Sequence, residues 1–306
     1  MEKIFKNKNT SALMALFAMF LWGSAIPMIK TTYKVLGITS KDPGSMILVA
    51  GYRFFLAGFF VIFYKFLFEE KSDRKNDFSL MFYIISTVVQ ITVAYIFYYN
   101  GLALISGVHS SIIQSTNFLM VLIFAHILIR DDKFNLKKVI CVILGIIATL
   151  LSNVGGKVDG VVSLRGEVFI IISTALNALG TVIMKKWGSK ENTYNISIFQ
   201  FIFGGFLLII MGLLTHQNPL IFNFKAIILL IYGSFISSTA FVIWYMLLRY
   251  QKASNVGAYK MFIPIFGAFL SVIILKDKFN IYLFVALFLT SFATTFLHSD
   301  LMEGKN

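Results

Sequence analysis

Asp132-Lys133-Phe134-Asn135-Leu136 and, much farther along, Asp277-Lys278-Phe279-Asn280-Ile281 are nearly the same pentapeptide. Each forms a polar break between two long apolar runs, and each is followed in register by an Ala-Thr pair, Ala148-Thr149 and Ala293-Thr294. One match of this size could be chance, but the correspondence continues outward. Tyr52-Arg53-Phe54 with Gly58-Phe59 pairs with Phe199-Gln200-Phe201 with Gly205-Phe206. Ala94-Tyr95-Ile96 through Tyr98-Tyr99 pairs with Ala240-Phe241-Val242 through Trp244-Tyr245, and Ile29-Lys30 pairs with Met184-Lys185. The spacing drifts only where loops differ in length, as a duplicated chain behaves. The chain is therefore read as two related segments, 1–155 and 156–306.

The apolar runs give those segments their setting. Hydrophobic residues make up 58% of the chain and charged residues 13%, with a mean hydropathy of +0.81. A soluble domain carries roughly twice that charged fraction, because water must wet its surface. A membrane-spanning helix needs about 20 mostly apolar residues, and suitable runs cover roughly 11–30, 43–65, 78–100, 107–129, 136–153, 166–186, 196–214, 224–249, 254–275 and 280–298. The expected fold is an all-α membrane protein of ten transmembrane helices. Five helices per segment is an odd number, so the second segment enters the bilayer from the opposite side. Such inverted repeats tend to hold a solute site near the midplane, between halves that can exchange inward- and outward-facing shapes.

Helix-boundary residues mark the breaks. Asp42-Pro43 offers an N-cap and a first-turn proline, and Asn135 and Asn280 stand where caps of the fifth and tenth helices belong. Gly155-Gly156-Lys157 and Gln217-Asn218-Pro219 read as turns. With the N-terminus in the cytoplasm, Lys and Arg favour cytoplasmic segments by about two to one, which supports both termini inside a multi-pass protein of the cell membrane. Lys30, Lys34 and Lys41 fit this rule poorly. The net charge of +13 is accordingly read as an orientation signal, since no basic tail or stripe suggests nucleic acid. The first run, Ser11 to Ile29, is long enough to span and reads as a retained helix, not a cleavable signal. Cys141 is the single cysteine, which excludes disulfides and cysteine metal sites. No metal-ligand pair, nucleophile–base set or nucleotide loop is visible, so neither an enzyme nor a cofactor is expected.

At this point the chain resembles the EamA-type branch of the drug/metabolite transporter superfamily. The residues that carry the resemblance are Leu21-Trp22-Gly23-Ser24 with Pro27 and Lys30, then Arg53-Phe54. In the second half they are Ala178-Leu179-Gly180-Thr181-Val182 with Lys185-Lys186, and Pro264-Ile265-Phe266-Gly267-Ala268 ahead of Leu275-Lys276-Asp277. The resemblance spans about residues 11 to 298. It implies ten helices with cytoplasmic termini around a central cavity that moves small organic solutes, often outward. Two positions depart from the pattern. Leu119 stands where helix four usually has a proline matching Pro264, and Asp132 or Asp277 stands where an acidic residue usually follows as Gly-Glu.

Ionisable groups inside a membrane are functional candidates because they are expensive to insert. Arg53 falls near the middle of helix two; it is either a structural cation or a solute ligand. Lys260, in the first turns of helix nine, could instead reach the cytoplasmic interface. The 14 Asp and Glu fall in loops or at helix ends, so coupling through a buried carboxylate is not expected, and a cavity with cations and no acids would favour solutes bearing a carboxylate or phosphate. Trp22, Tyr98, Tyr99, Gln114, Asn117, Asn177, Trp244 and Tyr245 lie within spans and are read with Arg53 and Lys260 as the solute-binding set; Ser115 and Asn100 are similarly placed. Interhelical hydrogen bonding is the plainer role for any one amide. Gly23, Gly180, Gly204, Gly205 and Gly257 are expected to let helices approach closely, and Pro27 and Pro264 to interrupt helical hydrogen bonding. The expected partners are a lipid bilayer and a small-molecule solute, an exported amino acid or related metabolite, with monomer and homodimer both open. The rival reading is a membrane scaffold or helper subunit that transports nothing.

Overall fold

The computed structural model describes residues 2–69, 79–105, 110, 113–114, 116–129, 131–132, 135–152, 163–275 and 281–298. Among them every regular element is a helix: α1 (Glu2–Lys6), α2 (Lys8–Leu36), α3 (Pro43–Phe68), α4 (Leu80–Thr87), α5 (Ala94–Leu102), α6 (Asn117–Leu128), α7 (Leu136–Ser152), α8 (Leu164–Lys186), α9 (Thr193–Thr215), α10 (Phe224–Tyr250), α11 (Ala253–Ala258), α12 (Phe262–Leu275) and α13 (Tyr282–His298). A π-helical turn, Val88–Val93, joins α4 to α5, and a 3-10 turn, Tyr259–Met261, joins α11 to α12.

Seven spans among the described residues are long and apolar enough to cross a membrane: Lys8–Leu36, Pro43–Phe68, Leu80–Leu102, Leu164–Lys186, Thr193–Thr215, Phe224–Tyr250 and Ala253–Ile274. The helices α6, α7 and α13 are shorter, at 12, 17 and 17 residues. Large apolar side chains such as Phe66, Leu214 and Phe224 stand exposed around the bundle, where hydrocarbon replaces water as the solvent. The chain is a multi-pass membrane protein.

The caps explain most boundaries. Asp42 accepts a hydrogen bond from the Ser45 amide at 2.9 Å and starts α3 ahead of Pro43. Asn135 accepts from Lys138 N at 2.9 Å, Asn192 from Tyr194 N at 2.9 Å, and Asn223 from Ala226 N at 2.9 Å. Each occupies at least one orphan amide of a first helical turn, and Asn192 occupies two. Asn280 and the Gly155-Gly156-Lys157 turn lie outside the described residues.

Three elements differ from the sequence reading. The first helix runs past Pro27 to Leu36 and ends at Gly37, whose φ of 67° is left-handed; the Ile38 amide reaches back to Tyr33 O at 2.9 Å. Lys30 and Lys34 are therefore on a helix end, not in a loop. The third apolar run carries the π turn, and the ninth is broken at Tyr259–Met261. Pro264 has no amide hydrogen to give the Lys260 carbonyl, so the backbone tightens there. Of the fourth run, 107–129, the described helix is Asn117–Leu128.

The α3–α9 contact is the most extensive of the core, and a second antiparallel contact joins α7 and α13. α3 lies along α9: Cβ atoms at Gly44, Gly51 and Gly58 would fall 2.3 Å from Thr215 C, 2.6 Å from Ile209 N and 2.5 Å from Ile202 Cγ1. The glycines recur every seventh residue, which keeps one helix face bare so that backbones touch. Reciprocally, Gly205 faces the Phe55 backbone and Gly212 faces Leu48. At the second contact, α7 meets α13, where the Cys141 thiol donates to Ala293 O at 3.1 Å.

Four further contacts knit the bundle together. α2 packs on α10 through Trp22 and Phe241, with ring centroids 5.1 Å apart, and α4–α5 packs on α8, where Ser173 Oγ donates to Ala94 O at 2.8 Å. α2 also meets α12, where Gly23 faces Phe266 and Gly267, and α6 meets α8, where Asn117 donates to Thr174 O at 3.0 Å. At the centre Phe54 and Phe201 stack with centroids 5.7 Å apart. Phe54 meets Tyr95 edge-on at 4.7 Å, and Phe201 meets Phe241 edge-on at 5.3 Å.

Candidate functional site

Around that aromatic centre the ten sequence-predicted residues fall into three groups. The first surrounds Arg53, which is 6% exposed. Tyr33, Tyr95, Tyr98 and Tyr99 lie close enough to its guanidinium to interact with it, and the guanidinium carbon sits 4.6 Å from the Phe54 ring centre. Gln114 hydrogen-bonds Tyr98 and back to Ser110. Arg53 Nε has no hydrogen-bond partner. The cavity beside it, lined in part by Met28, Thr32, Tyr33, Ala50 and Tyr99, measures ≈ 10 Å³, about the room one water needs. The structure is thus closed around the guanidinium.

The second group centres on Lys260. Its ammonium donates to Asn177 Oδ1 at 2.7 Å and to Thr181 Oγ1 at 3.2 Å, and lies 4.7 Å from the Trp244 ring centre. The long side chain therefore turns into the bundle and does not run out to the interface. Trp22 packs on Trp244 with centroids 5.5 Å apart. Asn117 joins through Asn177 Oδ1 at 3.4 Å. The third group is Tyr245, whose hydroxyl contacts the side-chain amides of Gln90 and Gln200. A hydroxyl has one proton, so it donates to one amide oxygen and accepts from the other amide in its flipped assignment.

Buried polar groups normally find partners. Among the described residues four buried side-chain atoms do not: Arg53 Nε, Thr92 Oγ1, Asn117 Oδ1 and Trp244 Nε1. Three of these belong to the predicted set. Asn100 does not join it, because its amide donates to Ile96 O on its own helix. Ser115 lies outside the described residues.

Sequence reasoning missed Gln90, Gln200, Tyr33 and Tyr95. The two glutamines met the same criterion as Gln114, a carboxamide inside an apolar run, and Gln200 already aligned with Arg53. Tyr33 was missed because the first helix was ended too early.

Comparison with known proteins points in one direction. The family model described as the EamA-like transporter family matches residues 9–154 and 164–298. An uncharacterized transporter from Archaeoglobus fulgidus is 26% identical over 277 residues, covering 89% of this chain and 91% of its own length. The uncharacterized transporter YvbV of Bacillus subtilis is 26% identical over 285 residues, covering 92% of this chain and 89% of its own. One solved crystal structure superposes with a TM-score of 0.80 over 98% of this chain and 100% of that one, at 13% identity; that likeness is of fold.

Proposed function

The chain belongs to the EamA-like transporter family, and from that premise we propose that it carries a small organic solute across the cell membrane by alternating access. The solute is an amino acid or related metabolite and the direction is export. In this reading segments 1–155 and 156–306 are inverted repeats of five helices each, and both termini are cytoplasmic.

The observation that supports it most is the reciprocity of the packing. Take the first helix of one repeat to match the first of the other, and so on through five. Exchanging partners then turns the α2–α10 contact into α4–α5 against α8, and α2–α12 into α6–α8. It returns α3–α9 and α7–α13 to themselves. The stacked pair Phe54 and Phe201, with edge-on partners Tyr95 and Phe241, obeys the same exchange, as residues beside a two-fold axis would. A pseudo-two-fold axis in the membrane plane makes the inward- and outward-facing shapes nearly equal in energy. Buried polar groups of both halves, including the unpartnered atoms of Arg53, Asn117 and Trp244, supply a lining for a site between the repeats.

Flux in proteoliposomes tests this. Saturable movement of at least one solute from a panel of amino acids, sugars and nucleotides is expected. Trp22→Ala should cut it by about tenfold, near 1.4 kcal/mol, without loss of insertion. Absence of saturable movement for every solute would overturn the proposal in favour of a scaffold or helper subunit.

A further inference from the structure

We infer that Arg53 and the tyrosines around it form a subsite for the carboxylate of the solute. The inference rests on the carrier reading and goes beyond it by assigning one chemical group to one cage.

Two observations point the same way. First, the guanidinium is nine-tenths buried, lines a cavity, has no acidic partner among the described residues, and leaves Nε unbonded. A buried charge without a partner is costly, and a guanidinium offers a planar fork that fits a carboxylate with two parallel hydrogen bonds. Second, the corresponding place in the other half is occupied differently. Gln200 stands where the first half has Arg53, and Tyr245 where it has Tyr99. Gln200 is satisfied by Tyr245, which also holds Gln90. One half thus closes its polar pair within the protein, and the other leaves a charge for something else to neutralise.

The charge count selects carboxylate over phosphate. Among the described residues Arg53 is the one cation in the cage, since Lys260 is committed to Asn177 and Thr181. One positive charge balances one negative charge, whereas a phosphate ester carries up to two near neutral pH. Tyrosine hydroxyls can donate to the remaining carboxylate lone pairs. The cavity described above admits about one water, so the carboxylate reaches Arg53 only when the bundle opens on that side.

Acid and amide pairs test this on the purified full chain: lactate with lactamide, benzoate with benzamide, and phenylalanine with phenylalaninamide. Ligands of the native state raise its melting temperature. The expected result is a rise with at least one acid and none with its amide. Arg53→Gln, which places in this half the residue the other half already carries, should weaken acid binding by about tenfold or more, and Arg53→Lys by less. An amide that matches its acid, an Arg53→Gln protein that still prefers the acid, or no response to any acid would overturn the subsite. So would an equal response to inorganic phosphate, or a response to laurate alone, which would make the ligand a lipid. Flux of the same acids separates the two claims. Acid binding that depends on Arg53 without flux would sink the carrier reading and leave the subsite standing.

Discussion

Asp132 belongs to the first of the repeated pentapeptides, and its carboxylate bonds across the two segments. It is 2% exposed, accepts from Lys138 Nζ at 2.7 Å and from the Ser254 amide at 2.9 Å, and also meets the Ser254 hydroxyl. It thereby caps α11 from a distance. Burial opposes its ionisation, but the hydrogen bonds from Lys138 and Ser254 outweigh burial and hold its pKa below the usual carboxylate value. A folded-state pKa lowered in this way contributes stability that is complete above the unfolded pKa and is lost as pH falls through the folded one. The share of the melting temperature that rests on Asp132 should therefore be lost only below about pH 4, near the unfolded pKa of an aspartate, and Asp132→Ala should remove that part of the acid limb. The same substitution removes the carboxylate that Lys138 and Ser254 bond and should cost about 1–3 kcal/mol, measured by denaturation in detergent. The sequence exposed Asp132 as part of a repeat but gave no sign of this role, because Ser254 is remote in the chain and no local pattern connects them. The local caps Asp42 and Asn135 were legible, since their acceptors and amides lie within one turn.

The α3–α9 contact shows how far an element can be read in advance. Glycines in apolar runs were expected to permit close packing, and Gly23, Gly180, Gly204 and Gly205 each meet another helix within 3 Å of where a Cβ would stand. The heptad of Gly44, Gly51 and Gly58 was equally open to inspection, but only a partner helix gives it meaning. Gly51→Leu would drive a side chain into the Ile209 backbone and should cost about 1–3 kcal/mol or more, seen as loss of monodisperse protein in detergent. Phe206→Leu, at an exposed outer position, should be neutral by the same measurement. The π turn at Val88–Val93 was not legible, because Val-Val-Gln-Ile-Thr-Val reads as uninterrupted apolar helix. It carries Gln90 to Tyr245 and leaves Thr92 Oγ1 buried without a partner, and π turns are frequent at functional sites.

At the scale of the molecule, apolar runs and repeated motifs were enough to reach an all-helical membrane protein and its family, while the grouping of site residues was not. Three clusters emerged from one set of ten because side-chain partnering depends on helix rotation, which apolar runs do not encode. Tyr98 and Tyr99 adjoin Arg53, whereas Trp244 and Tyr245, their counterparts in the repeat, serve Lys260 and Gln200. The central claim is that two inverted halves expose one site to each side in turn. Counterflow tests it most directly: vesicles holding the purified protein are loaded with an unlabelled amino acid that it transports, and a trace of the labelled form is added outside. Alternating access predicts a transient accumulation of label above its equilibrium level, because unlabelled solute inside occupies the inward-facing site and slows the exit of label. Simple equilibration with no overshoot, at any internal concentration, would contradict the account.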